Sequence, residues 1–178
     1  PNNDPLKMVY GSNVSDIQIE LNAVYTKPEF YGYNSSENAK LTAGVTNIAH
    51  KAHLAQTGYS RNENIYRTPA LQVAPIKAQT DKDVENAQLS ASGSAAVEVF
   101  TVSGNTTIPF LYPGCVCDLQ MRKAESTRTS FFTRLMVTEV RHEIDTLGHY
   151  QGHFKAIASD TGFLPRPEFN IPKAETQI

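Results

Sequence analysis

The residues from Leu135 to Ile157 constrain the fold more than any others, because two alternating runs flank a glycine turn. The first run is Leu135-Met136-Val137-Thr138-Glu139-Val140-Arg141-His142-Glu143. The turn is Thr146-Leu147-Gly148, and the return run is His149-Tyr150-Gln151-Gly152-His153-Phe154-Lys155-Ala156-Ile157. Period-two alternation on both sides of a turn predicts an antiparallel hairpin. A proline-punctuated tail follows, Phe163-Leu164-Pro165-Arg166-Pro167 and then Ile171-Pro172-Lys173. Prolines at that density predict a stiff, extended exit from the sheet.

Alternation recurs along the rest of the chain. Ile17, Ile19, Leu21 and Ala23 predict a strand, and the aromatic run Phe30-Tyr31-Gly32-Tyr33 after Lys27-Pro28 predicts another. Ala70 to Val73 is a short strand candidate within a polar, proline-broken stretch from Tyr59 to Lys77. Ala95 to Val102 reads as a strand that turns at Gly104-Asn105. Pro113-Gly114, a pair suited to a turn, introduces a strand from Cys115 to Met121, and a polar loop runs from Lys123 to Ser130. Two helices are expected. One covers Asn47 to Gln56 and is closed by Gly58. The other opens on Thr80-Asp81-Lys82-Asp83, a capping-box pattern with carboxylates at the positive helix end. Val84, Ala87 and Ala91 would form its buried face, and Gly93 would stop it. The expected fold is mainly β, a sheet or incomplete barrel with one or two short helices and no internal repeat.

Composition narrows the function classes. The chain has 178 residues, 40% of them hydrophobic, and a formal net charge of -2, so no global field points to nucleic acid or an acidic membrane. No apolar run is long enough to span a bilayer. The opening Pro1-Asn2-Asn3-Asp4 is not a signal peptide. The chain starts and stops in mid-pattern, as expected of a fragment of a longer protein. Cys115 and Cys117 are too close along a strand for an unstrained bridge, so free, partly buried thiols and assembly in a reducing cytoplasm are expected.

The candidate chemical sites each have a plain structural explanation. His50 and His53 would share a helix face as a zinc half-site, but no third ligand is evident, and solvated surface histidines are the expectation. His142, His149 and His153 gather on the hairpin with Glu143 and Asp145. Strand alternation separates them: His142 falls on the face of Met136, Val140 and Ile144, and Glu143 and Asp145 on the other. His142 is therefore expected to be a half-buried, hydrogen-bonded sheet residue, with His149 and His153 exposed. Nucleophile elbows and phosphate-binding glycine loops are absent. The aromatics Tyr31, Tyr33, Tyr59, Tyr66, Phe131 and Phe132 could stack sugars or bases, but burial in a core or subunit interface fits a chain without a basic stripe. No catalytic residue, cofactor or metal ligand is assigned.

One resemblance goes further. A "V-T-x-V-x-H" strand, a "G-x-Y-x-x-x-F" return strand and a proline-rich exit occur here as Val137, Thr138, Val140, His142, Gly148, Tyr150, Phe154, Pro165 and Pro172. This order resembles the hub domain of VgrG-type spike proteins (the Rhs element Vgr family) of type VI secretion systems, which are related to contractile phage tail hubs. The Pro113-Gly114 step before a strand and the helix ahead of the last strands resemble that family too. Near the N-terminus the match is looser, with Tyr33-Asn34 where the family often has a Trp-Asp pair. The resemblance implies a non-enzymatic hub over residues 1–164 and a linker over 165–178 toward a downstream OB-fold and needle. It also implies a homotrimer in the full-length parent that adapts a hexameric, Hcp-like tube to the needle, with effector and baseplate proteins as further partners. Cytoplasmic assembly followed by secretion without a signal peptide would follow. A phage or prophage tail baseplate hub is the alternative within the same architecture. An extracellular carbohydrate-binding or adhesin β-module is the alternative from another class.

Overall fold

The computed structural model describes residues 4–122 and 124–167. Pro172 and most of the expected linker lie outside the described residues. Elements follow in chain order: β1 (Leu6–Val9), β2 (Val14–Leu21), β3 (Pro28–Asn34), β4 (Ala39–Thr42), α1 (His53–Ile65), β5 (Ala70–Val73), α2 (Asp81–Glu98), β6 (Phe100–Thr106), β7 (Val116–Arg122), β8 (Thr129–Ile144) and β9 (Tyr150–Ala158). They build a six-stranded sheet in the order β1-β7-β8-β9-β6-β2 and a three-stranded sheet in the order β4-β3-β5. Both sheets are open, so the incomplete barrel of the sequence reading resolves into two separate sheets.

The expected hairpin lies at the middle of the larger sheet. β8 is longer than the alternating run suggested, because its first half pairs with β7 while its second half pairs with β9. One long strand thus joins both neighbours. Gly148 sits in the turn at φ +82°, a conformation that costs a residue with a side chain. Asp145 closes the same turn. Its carboxylate accepts the amides of Leu147 and His149, each at 2.8 Å. β1 alone pairs parallel in this sheet, with Leu6 opposite Cys117. At the other edge, β2 carries a register shift between Ser15 and Gln18, where Asp16 takes φ +50°.

Alternation then decides what is buried. Met8, Phe100, Val102, Cys117, Leu119, Leu135, Val137, Phe154 and Ala156 form one cluster on the inner face, all nearly inaccessible. Val140 packs half-buried at its border. A second cluster joins Phe30 and Leu41 of the small sheet to Val84, with Ala87 and Ala91 against it. The expected apolar face of α2 therefore packs on the three-stranded sheet.

The helix boundaries need correction. α2 begins as expected: the Thr80 hydroxyl accepts the Asp83 amide at 3.3 Å, and the Asp83 carboxylate accepts the Thr80 amide at 2.9 Å. It does not stop at Gly93 but runs to Glu98, so Ala95 to Glu98 is helix and the strand starts at Phe100. Gly104 and Asn105 lie inside β6, paired with β9, and make no turn. Gly93 is a contact surface: a Cβ there would come within 2.2 Å of the Phe163 ring. The first helix is also displaced, spanning His53–Ile65 instead of Asn47 to Gln56. Gly58 lies within it, where a Cβ would come within 2.9 Å of Val99. In both helices the glycine marks close packing rather than a C-terminus.

Three substitutions test this packing. Gly93→Ala, which ordinarily favours a helix by about 0.5–1 kcal/mol, should here lower the melting temperature; in a Phe163→Ala background the same change should raise it. Thr80→Ala should cost about 1 kcal/mol in urea unfolding. The hydrogen bond from the Gln79 amide, then those from Thr80, holds the Asp83 carboxyl below its ordinary value. The stability contributed by that carboxylate is therefore present at neutral pH and lost as acid titrates it, a trend that Asp83→Asn should flatten.

Candidate assembly surface

The hairpin residues singled out in the sequence split between core and rim. Val137 and Phe154 are buried, and Val140 pairs with Phe154 across the strands. Thr138 falls at a register shift between Val137 and Glu139, and its hydroxyl donates to the Lys155 carbonyl at 3.3 Å. Pro113-Gly114 joins this sheet from outside. The Gly114 amide donates to the Val137 carbonyl at 2.7 Å, and the Val137 amide donates to the Cys115 carbonyl at 2.9 Å. Gly114 takes φ +92°, which lets the chain fold back onto β8. Pro165 lies half-buried near the end of the described chain.

His142 is exposed rather than half-buried, yet it is bonded on both sides of its ring. Nδ1 lies 2.6 Å from the Tyr150 hydroxyl and Nε2 lies 3.0 Å from the Leu111 carbonyl. The Tyr150 hydroxyl donates to the Ile108 carbonyl at 3.0 Å, and burial pushes its pKa upward. These bonds tie the loop between β6 and β7 to the end of the hairpin. Four large apolar side chains on these adjoining segments are open to solvent: Phe110 at 66%, Tyr112 at 62%, Ile144 at 72% and Leu147 at 80%. Large apolar side chains exposed on adjoining segments at one end of a sheet are the kind of ground that a partner can cover.

The remaining charged residues pair locally, and Asp16, Glu139, Arg141, His153 and Lys155 line a depression of about 450 Å³ over β2, β6, β8 and β9. Asp145 and His149 pair within the hairpin turn, where the His149 amide and then its ring hold the Asp145 carboxyl below its ordinary value. His153, half-buried rather than exposed, approaches Glu143 at 3.6 Å. Lys155 meets Glu139 at 3.1 Å across the strands. Exposed pairs of this kind contribute little. Among the described residues no group of three or more His, Cys, Asp or Glu side chains could hold a metal ion. His50 and His53 do not share a helical face, because His50 precedes α1 and is buried. Cys115 and Cys117 are free, and burial, with Cys115 nearby, pushes the Cys117 thiol to about 12.

Of the six aromatics weighed as stacking groups, only Tyr59 is buried. Tyr33 and Phe131 are largely exposed, on different sheets. A groove of about 830 Å³ runs between α2 and the small sheet, lined by Phe30, Val73, Ile76, Ala87, Ala91 and Pro167 among others. No helix among the described residues is long and apolar enough to cross a membrane.

Sequence reasoning missed the interior amides and one carboxylate. Gln88 is buried on α2; it accepts the Phe30 amide at 2.8 Å and donates to Thr46 Oγ1 at 3.1 Å and to the Gly44 carbonyl. Asn62 accepts the Val24 amide and donates to the Asn22 carbonyl. Asp160 meets His50 and the start of α1. A polar residue inside an otherwise apolar helical face, as Gln88 is between Val84 and Ala91, was the available signal.

No protein-family model matches the chain, and neither does any curated protein sequence. Solved structures do. The tail protein from Neisseria meningitidis MC58 superposes with a TM-score of 0.56 at 12% identity, over 88% of this chain and 45% of that one. The 43 kDa tail protein of prophage MuSo2 from Shewanella oneidensis gives a TM-score of 0.53 at 10% identity, over 90% of this chain and 44% of its own. The chain thus spans less than half the length of either. Among the described residues the fold, mainly β with two open sheets and two helices, is shared with part of each of these two tail proteins.

Proposed function

We propose that the chain is the hub domain of a contractile tail, a structural adaptor in a phage- or prophage-derived injection machine. The observation that carries this reading is the superposition on two tail proteins along nearly the whole described chain. The exposed cluster of Phe110, Tyr112, Ile144 and Leu147 supports it, because an adaptor needs apolar ground for its neighbours. The full-length parent would be a homotrimer that meets a hexameric tube on one side and continues into a needle on the other. In that parent, residues 1–164 are the hub and 165–178 the lead into the next domain. The chain's part is rigid and non-catalytic. Assembly takes place in the bacterial cytoplasm, before export through the machine itself.

The type VI spike reading rests on a separate observation, the hairpin motif from Val137 to Phe154 with its proline-rich exit. The two readings share one architecture and differ in the machine served. Light scattering on the full-length parent should return the mass of a trimer. Phe110→Ser combined with Leu147→Ser should weaken assembly about tenfold or more, with little change in melting temperature because both side chains are solvent-exposed. A monomeric parent that binds glycans would overturn the hub reading in favour of a carbohydrate-binding module.

A further inference from the structure

We propose that His50 is an imidazolium donating from both ring nitrogens, and that these two hydrogen bonds form a pH-sensitive latch holding the segment after β9 against both helices. The His50 side chain has no solvent-accessible surface, and that of Asp160 retains 8%. Nδ1 lies 3.0 Å from Asp160 Oδ1, and Nε2 lies 3.0 Å from the Ala96 carbonyl oxygen. A carboxylate and a carbonyl can only accept. A neutral ring carries one N–H, so one of these contacts would bring two lone pairs together in a site closed to solvent. Two protons on the ring satisfy both.

The surroundings match a cation. Ala96 lies in the last turn of α2, the negative end of that helix. The second Asp160 oxygen accepts the amides of Lys51 at 2.7 Å and Ala52 at 2.9 Å, at the entry to α1 where no side chain of the helix itself serves as a cap. The ion pair therefore joins the negative end of one helix to the positive end of the other. The titratable groups facing the ring are Asp160 from the segment after β9 and Tyr59 from α1, whose ring stands edge-on with centroids 5.9 Å apart. α2 offers the Ala96 carbonyl, and Lys51 follows His50 in its own loop with its side chain exposed. Three residues past Asp160, Phe163 seats on Gly93 beside Ile48, Tyr59 and Ala96. The latch thus sets the path of the chain after β9, whichever machine the protein serves.

Raising the pH until the ring loses a proton removes one donor and loosens the latch. Lowering it far enough to protonate Asp160 does the same, but at a pH below the one that titrates an ordinary aspartate. Burial alone would raise that carboxyl, but the bonds from His50 and from the Ala52 and Lys51 amides outweigh it and hold it below its ordinary value. Nitrogen-15 NMR of the imidazole rings in the full 178-residue chain should show both His50 nitrogens protonated while the Lys51 and Ala52 amides are protected from exchange. As rising pH neutralises the ring, their protection factors should fall about tenfold or more, as expected for one charge-assisted hydrogen bond. His50→Gln should show the reduced protection across the pH range; if that variant fails to fold, the pH series on the unmodified chain decides. A neutral, singly protonated ring in the protected state, or protection unchanged on neutralisation, would overturn the latch.

Discussion

The architecture depends on one helix crossing from one sheet to the other without interruption. α2 packs Val84, Ala87 and Ala91 on the three-stranded sheet, and its last turns present Ala96 and Val97 just before β6 enters the six-stranded sheet at Phe100. Eighteen residues of helix span about 27 Å, enough to serve both layers with one rigid body. That continuity depends on the absence of a side chain at Gly93, since the returning chain lays Phe163 across it. A residue whose usual effect is to weaken a helix is retained because the space above it is taken.

Where two open sheets share a helix, the backbone between them must find partners outside any ladder. Buried carboxamides fill that need. Gln88 reaches the Phe30 amide and the loop that contains Gly44 and Thr46, and Asn62 links α1 to the segment after β2. Asn22 extends the chain of contacts, donating to the Glu98 carbonyl at 3.1 Å. Each carboxamide both accepts and donates, so one side chain satisfies groups from two segments and fixes their spacing. Such networks impose a single arrangement, since a shift of any partner strands a buried polar group.

What could be read from the sequence follows the range of the forces involved. The hairpin, the β7 strand after Pro113-Gly114, the short β5 strand and the Thr80–Asp83 cap are set by neighbours a few residues apart, and each lies where the pattern placed it. The errors at Gly58 and Gly93 share one cause. A glycine in a helical run reads locally as a stop, whereas here each is matched to a bulky group far away in the chain, Val99 in one case and Phe163 in the other. The strand assigned to Ala95–Val102 starts later, at Phe100, for a related reason. Small and β-branched residues there alternate well enough for a strand, but the helix already nucleated at Thr80 continues through them to Glu98. His50 was invisible as a buried group because its partner Asp160 is more than a hundred residues away.

The bulge at Asp16 bears on what another chain would meet at the edge of the larger sheet. β2 is the outermost strand on its side, a row of unused amides and carbonyls that another chain could extend. The kink at Asp16, held by Asn105 donating to its carboxylate at 2.7 Å, bends the strand near its start and sets a fixed negative charge there. A second chain adding to that margin would have to fit around a bent, charged step, so edge-to-edge pairing along β2 is discouraged.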